Sequence, residues 1–498
     1  MPKLEQLRMH IDGQWVEASD GRTLESINPA TGEAWATFPA ASASDVDRAV
    51  GAAHRAMTTG PWAAMTATQR GHLLRKLADR LADQADVIAR IETTDTGKLL
   101  RETASVTRYI AEYFHYFGGA ADKFHGSTYP VDKVDMMAMT IREPIGVVAA
   151  VIPWNNQLFL SSVKVGPALA CGNAIVLKAS EHGPAALLEL ARLCEEVGFP
   201  PGVVNVVTGE GDPCGTTLTR HPLVARIAFT GGTSAARHVV RNSAENLAVV
   251  TLELGGKSPI IVFEDADIES AVNGIVAANF GATGQSCVAG TRVYVHERIA
   301  DEVEQRIRER AERIVIGDPL DAATEIGPLA TAGQLRHVST AVAASLTEGA
   351  ALVTGGRAPA GLPDAVARGW YYEPTVLACP SNNITSAREE LFGPVLSMMR
   401  FTDEQSVIAA ANDSPYAYAS GVFTRDIGKA MRAMRRLRAG IVYINTYRVI
   451  SPMVPFGGNR DTGYGREAGI ETLLDYSRSK TIWINTSDSP MADPFTMR

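Results

Sequence analysis

The sequence predicts an α/β protein built on parallel sheets with covered faces. Three observations carry that reading. Residues 146–254 alternate short apolar runs (GVVAAVIP, NAIVLKAS, GVVNVVTG, ARIAFTG, LAVVTLEL) with helical patterns such as PAALLELARLCEEVGF. Runs that are apolar on both faces, closed by Gly, Pro, Ser or Asn and joined by helices, are the pattern of buried parallel strands. The alternation resumes at SPIIVFEDAD, continues through TRVYVHERIADEVEQRIRERAERI and runs beyond LFGPVLSMMRF, which reads as a second α/β unit of similar size. The chain has 498 residues, material for about three domains or lobes.

The remaining segments fall around these two units. The first 45 residues read as short strands and turns, with rough alternation in IDGQWVEA and turn signals in NPATGEAW. From Ser44 to about Gly119, Leu73, Leu74, Leu77, Leu81 and Ile88 recur at three- and four-residue steps among charges, the spacing of amphipathic helix with a solvated polar face. Beyond Leu474 the tail contains TIWIN, an alternating strand with no neighbour nearby in sequence. A lone strand leaves backbone groups unpaired, so it should complete a sheet elsewhere in the chain or in another subunit.

Composition narrows the function classes. Hydrophobic residues make up 46% and charged residues 20%, which excludes a disordered chain. The net charge of -8 lacks the basic footprint of nucleic-acid or anionic-membrane binding, so neither partner is expected. The five cysteines form no C-x-x-C pair, so no disulfide framework and no metal site are expected. The N-terminal MPKLEQLRMHIDGQWVEASD has no signal-like apolar core, and the run from Val147 to Pro153 falls short of the ~18 apolar residues of a membrane span. A reducing, cytoplasmic setting is the expectation.

In open parallel sheets ligands bind beyond the carboxyl ends of the strands. Asn155, Lys178, Gly209, Gly231 and Glu253 each sit just after or at the end of a run. Asn155, in IPWNNQ, can donate to a developing oxyanion or simply form a turn. Glu253, in TLELGGKSP, is either a desolvated general base or a carboxylate paired with Lys257. Lys178 and Glu181, in KASE, suit a ribose and its hydroxyls, or else an ordinary helix start. FTGGTSAAR can open a helix whose N–H groups face a phosphate; TGEGDPCG is glycine-rich without the G-x-G-x-x-G spacing. Cys171, Cys194, Cys214 and Cys379 read as packing. Cys287 alone lies in a glycine-flanked loop, GATGQSCVAGTR, without apolar periodicity. As a nucleophile it needs thiolate character, because an ordinary thiol titrates at about 8.5.

In order and in register over nearly the whole chain, PWN, KASE, FTGGT, LELGGKSP, GQSC, EELFGPV and PFGG resemble the NAD(P)-dependent aldehyde dehydrogenase superfamily. The resemblance implies a fold with three parts: a Rossmann-like cofactor domain over 1–125 and 145–255, an α/β catalytic domain over 256–455, and a small β arm for oligomerisation from 126–144 and 471–486. It gives TIWIN a partner in that arm and implies a homodimer or homotetramer. It implies that Cys287 adds to an aldehyde, that Asn155 and the Cys287 N–H form the oxyanion hole, and that the adduct is oxidised to a thioester. Glu253 then activates the hydrolytic water. Ile152, Pro153, Trp154, Lys178, Ser180, Glu181, Gly211, Phe229, Gly231, Gly232, Leu254, Gly255, Glu390 and Phe392 fall at cofactor positions. NAD is favoured, because the Glu181 carboxylate repels a 2′-phosphate, with NADP still open.

The presence of Glu253 favours water over coenzyme A as acyl acceptor. A coenzyme-A-acylating enzyme, a catalytically silent homologue and a cysteine hydrolase are the competing readings; the last lacks a histidine in any motif near Cys287. Two departures stand out. Asn156 and Gln157 replace an aromatic residue and a proline, and Gly232 replaces a serine, losing one hydroxyl donor. Asn156, Ser286, Arg448 and Ile450 fall at substrate positions. Arg448 in INTYRVISPMVPFGG either helps bind a polar or anionic aldehyde such as a semialdehyde or is a surface arginine paired to a local acid.

Overall fold

The computed structural model describes residues 4–496. Near the N-terminus, β1 (Met9–Ile11) and β2 (Gln14–Val16) form a hairpin. Four helices follow: α1 (Ala43–Thr58), α2 (Ala67–Asp83), α3 (Ala85–Thr96) and α4 (Leu100–Ala120). Capping boxes start α1 at Ser42 and α2 at Thr66, each pairing a hydroxyl and an N3 side chain with otherwise orphaned N–H groups. Leu74, Leu77, Leu81 and Ile88 are fully enclosed, and Leu73 packs at the edge of the same core. The three- and four-residue spacing therefore marks one buried face of these helices, as expected.

Next come β3 (Met136–Pro144), β4 (Val147–Val151), α5 (Gln157–Ala170), β5 (Ala174–Lys178), α6 (Ala185–Val197), β6 (Val204–Val207), β7 (Val224–Thr230), α7 (Thr233–Asn246) and β8 (Val249–Glu253). The strands β6, β5, β4, β7 and β8 lie side by side in that order, all parallel. The β1–β2 hairpin extends the β6 edge, and residues 463–464 pair antiparallel with β8. Chain order runs outward from β4 to β6 and then returns to β7 on the other side of β4. The crevice at that reversal, beyond the carboxyl ends of β4 and β7, is where such sheets bind ligands. Every residue of α5 is buried, so this helix packs on all sides and holds the segment before it rigidly.

The second sheet contains β9 (Pro259–Val262), β10 (Arg292–His296), β11 (Thr375–Ala378), β12 (Val395–Phe401), β13 (Ala419–Phe423) and β14 (Ile441–Ile444). Its parallel order is β11, β12, β10, β9, β13, β14, with residues 351–354 antiparallel on the β11 edge. Helix α8 (Ile268–Phe280) leads into the loop that carries Cys287. The tail strand β15 (Ser477–Asn485) finds its partner within the chain: it pairs antiparallel with β3 from Ser477 opposite Pro144 to Asn485 opposite Met136. None of the helices among the described residues is long and apolar enough to cross a membrane.

One buried cation ties the base of this arm to the first sheet. Arg226 of β7 donates to the Asp475 carbonyl (3.0 Å) and the Thr251 hydroxyl (2.6 Å), and its guanidinium lies 4.2 Å from the Tyr476 ring centroid. Removing it orphans both acceptors inside the core. Arg226→Leu is expected to cost about 2 kcal/mol of stability, read as a lower urea midpoint; an unchanged midpoint would show that the arm is anchored elsewhere.

Candidate active site

Two cavities adjoin at the β4–β7 crevice. The larger, about 500 Å³, is lined by Ile152, Pro153, Trp154, Lys178, Ser180, Glu181, Gly211, Phe229, Gly231 and Gly232, among others. The smaller, about 260 Å³, is lined by Asn155, Glu253, Leu254, Gly255, Cys287, Glu390 and Phe392, and it shares Pro153, Trp154, Thr230, Gly231 and Gly232 with the first. The three candidate catalytic residues and every candidate cofactor residue thus face one continuous cleft.

The larger cavity suits an elongated ligand carrying hydroxyls and phosphates. Lys178 ends β5, and its ammonium lies 3.1 Å from a Glu181 carboxylate oxygen. Burial works against the Glu181 charge, but Lys178 outweighs it and the carboxyl titrates below its usual range. Helix α6 begins at Ala185 with no side-chain cap, so KASE stands clear of the helix start and meets the cavity. Helix α7 is capped by Gly232 backbone alone, which leaves its first-turn N–H groups toward the cleft. A Cβ at Gly211 or Gly232 would meet no protein atom within 4 Å. That open space at two glycines admits a ligand backbone close to the main chain.

In the smaller cavity the chemistry concentrates. Asn155 donates through Nδ2 to the Gln285 carbonyl at 3.0 Å, which ties the β4 loop of one sheet to the Cys287 loop of the other. Gln285 in turn accepts from the Ala330 N–H through its side chain. The loop reaches Cys287 through two non-glycine residues in the left-handed region, Ala282 (φ 54°) and Thr283 (φ 57°). That backbone costs roughly 1–2 kcal/mol per residue. It is held by Glu102, which accepts from the Ala282 N–H at 3.0 Å, and by the Thr283 hydroxyl donating to the Gly327 carbonyl.

Cys287 is partly exposed to the cavity, yet its thiol is not poised as a thiolate. Burial pushes it up to about 12; the Tyr418 hydroxyl opposes that shift, while Glu253 and Glu390 add to it. The surroundings, low in dielectric and carrying two carboxylates, work against the thiolate character that a nucleophile needs. Glu253 does not pair with Lys257. It accepts from the Tyr418 hydroxyl at 2.6 Å, and its other oxygen is buried without a partner. Burial, and then the Glu467 carboxylate, raise the Glu253 carboxyl well above the usual range. Lys164, which donates to the Thr230 hydroxyl at 2.7 Å and pairs with Glu467, pulls it back.

Glu390 crosses from the second sheet to the first. One oxygen accepts from the Gly256 N–H at 2.8 Å. The approach needs the LELGG glycines: a Cβ at Gly255 would collide with the Glu390 carboxylate, and one at Gly256 with the Cys287 carbonyl. Phe392 (φ 53°) stands edge-on to Trp154, with ring centroids 5.4 Å apart.

The four candidate substrate residues lie outside both cavity linings. Asn156 turns its carbonyl oxygen to Lys98, at 3.0 Å from Nζ. Arg448 (φ 62°) donates to the Ala277 carbonyl at 3.0 Å and lies over Gly281, at the start of the cysteine loop. Ile450 accepts from the Tyr109 hydroxyl through its carbonyl, and Ser286 accepts from the Ala289 N–H. Sequence reading missed Tyr418, Lys98, Glu102, Lys164 and Glu467. One signal existed: Lys164 is the sole charge in the apolar helix QLFLSSVKVGPALA. The others reach the site through tertiary contacts and carry no local pattern.

The model of the aldehyde dehydrogenase family matches residues 15–482. The chain is 53% identical, over 99% of its length and 100% of the relative's, to the (Z)-2-((N-methylformamido)methylene)-5-hydroxybutyrolactone dehydrogenase of Acinetobacter baylyi. Its fold is similar to that of PnpE crystallised with nicotinamide adenine dinucleotide (TM-score 0.95, 42% identity, covering 98% of this chain and 99% of that one). It is also similar to a point mutant of the betaine aldehyde dehydrogenase of Staphylococcus aureus crystallised with NAD+ (TM-score 0.95, 38% identity, 98% of each chain).

Burial raises Glu390 to about 7. A carboxyl with a raised folded pKa binds its proton more tightly folded than unfolded, so it erodes stability as pH climbs from about 4.5 to about 7. Glu390→Gln keeps an acceptor for Gly256 and removes the charge. Without dinucleotide, this variant is expected to melt above the wild type at pH 8 and together with it near pH 4.5; a constant offset at both pH values would refute the assignment.

Proposed function

The chain belongs to the aldehyde dehydrogenase family, and on that premise we infer that it oxidises an aldehyde to its carboxylic acid with NAD. Cys287, Asn155 and Glu253 lining one cavity that opens into the crevice at the β4–β7 reversal is the observation that carries this reading. The dinucleotide, when bound, supplies the two-electron acceptor. Lys178 and Glu181 hold the ribose at the adenosine end, the α7 N-terminus faces the phosphates, and Glu390 and Phe392 orient the nicotinamide end. An ionised Glu181 repels an added 2′-phosphate, which favours NAD over NADP.

The protein's own groups perform the remaining steps. Cys287 Sγ adds to the carbonyl carbon while one Asn155 amide hydrogen and the Cys287 N–H receive the oxyanion. Oxidation of that adduct leaves a thioester on Cys287. Glu253 then takes a proton from water through its free oxygen, and hydroxide attack releases the acid. A carboxylate with a raised pKa is a stronger base for that proton than an exposed one.

The substrate class is an aldehyde bearing a carboxylate. A 5-hydroxybutyrolactone, named in the Acinetobacter relative, is the ring-closed form of a chain with an aldehyde at one end and a carboxylate at the other. Arg448 supplies a cation near the cysteine loop with further N–H donors for such a group. The same cation opposes a quaternary ammonium substrate. In this reading residues 1–125 and 145–255 bind the dinucleotide and 256–455 carry the nucleophile. Residues 126–144 and 471–486 join copies into a dimer or tetramer. The exposed Trp483 (57%) on the outer strand β15 is consistent with that last role.

Cys287→Ala is expected to abolish NADH formation at 340 nm while NAD still binds by fluorescence quenching; NADH formation at the wild-type rate would reject the nucleophile. Glu253→Gln should release a burst of NADH, then turn over about a hundredfold or more slowly; rapid steady turnover would assign the base elsewhere. For the substrate class, Arg448→Ala should lower kcat/KM about tenfold for carboxylate-bearing aldehydes and little for neutral ones. Equal losses on both would remove the anionic assignment.

A further inference from the structure

The buried thiol poses a problem that the family assignment leaves open. Its proton must leave as sulfur attacks, and the histidine that lines the small cavity, His337, is not among the groups that act most on the thiol. The answer lies in Tyr418, a residue in none of the sequence motifs. It sits immediately before β13 and is 1% exposed. Its ring packs 5.5 Å from that of Phe456, and its Cβ meets the same face of Gly256 as the Cys287 carbonyl. From there the hydroxyl donates to Glu253 at 2.6 Å, and it acts on the Cys287 thiol against the upward shift that burial imposes. One phenol oxygen thus bonds the base and influences the nucleophile.

We propose that Tyr418 is a catalytic residue, whose hydroxyl carries the proton from the Cys287 thiol to the Glu253 carboxylate as sulfur bonds to the aldehyde carbon. The S–H bond breaks and the C–S bond forms. The thiol proton goes to Tyr418 Oη, the phenol's own proton goes to Glu253 Oε2, and the phenol is neutral before and after. The carbonyl π pair becomes the oxyanion facing Asn155. Glu253 returns the proton to water before hydrolysis begins, so one carboxylate serves both half-reactions in turn. No tyrosinate is required, which matters because burial raises the Tyr418 phenol well above its usual range. A concerted relay avoids charging that oxygen.

The charged and titratable groups around this path are known. Glu253, Glu390, Tyr418, Tyr443 and Tyr447 act on the thiol. Glu467, Lys164 and Arg466 act on Glu253. Because the relay ends on the ionised carboxylate, thiol reactivity should rise with pH as Glu253 loses its proton.

The proposal rests on Cys287 as the nucleophile, and its test separates the two. The measurement is the rate of Cys287 alkylation by iodoacetamide from pH 6 to 9, without aldehyde or NAD, with Cys287→Ala giving the background of the other cysteines. Tyr418→Phe removes one oxygen and keeps the ring. It is expected to slow alkylation roughly tenfold or more and to remove the rise tied to Glu253, with NAD binding retained. Glu253→Gln should slow it similarly, and the double variant should be no slower than either single one, as members of one relay behave. A wild-type rate and pH dependence in Tyr418→Phe, or independent losses that multiply in the double variant, would overturn the relay. Should Tyr418→Phe fail to fold, Glu253→Gln alone decides: unchanged alkylation there is equally fatal. None of these outcomes touches the nucleophile itself, which the loss of NADH formation in Cys287→Ala tests separately.

Discussion

The site depends on keeping a thiol and three carboxylates out of water in one small volume. Glu253 and Glu390 come from different parts of the chain and act on the Cys287 thiol, while the buried Glu467 acts on Glu253; burial opposes the charge of Glu253, Glu390 and the thiol. The surrounding structure reads as a response to that cost. Lys164 is buried against Glu467, the Gly256 N–H serves Glu390, and the Tyr418 hydroxyl serves Glu253. Burial thus makes Glu253, Glu390 and the thiol hold their protons more tightly than usual. Desolvation that weakens the thiol as an acid also strengthens Glu253 as a base, so one physical term sets both half-reactions.

The two sheets make this concentration possible. The first sheet directs the carboxyl ends of its strands toward the shared cleft, the second brings the segments that enter its strands, with Cys287 before β10, Glu390 before β12 and Tyr418 before β13, and bonds between the two sides fix the spacing. Asn155 bonds Gln285 across the gap, and Glu390 bonds Gly256. The turn between α3 and α4 and the first turn of α4 brace both sides from a third direction, through Lys98 on Asn156 and Glu102 on Ala282. Left-handed backbone at Ala282 and Thr283 persists because these contacts over-determine it. The nucleophile is therefore positioned by residues nearly two hundred places away in sequence.

Ionisable groups near neutrality extend past the reacting atoms. Lys257, fully enclosed with an unpartnered ammonium, is brought down to about 7 by burial, and Glu390 rises to about 7 beside it. Groups poised there exchange protons readily when a ligand changes their surroundings. The arm presents a different economy: β15 and β3 pair over nine residues, yet apolar side chains on both faces of β15, Trp483 and Ile484, stay exposed. Apolar side chains on an outer strand are the kind of surface that another copy covers.

The sequence by itself determined the parallel strands, the helical faces and the cleft residues at strand ends, because each leaves a local trace. A both-sided apolar run marks β4, a three- and four-residue step marks Leu74 and Leu77, and the two glycines after Glu253 mark a close approach. Only the tertiary structure decided that burial raises the Cys287 thiol, that Arg448 turns to the Ala277 carbonyl, that Asn156 answers to Lys98, and that Tyr418 bonds the Glu253 carboxylate. Those outcomes are set by dielectric and by contacts between distant segments. Neither is encoded in any short window, since a side chain's charge and hydrogen-bond partners depend on what the rest of the chain places around it.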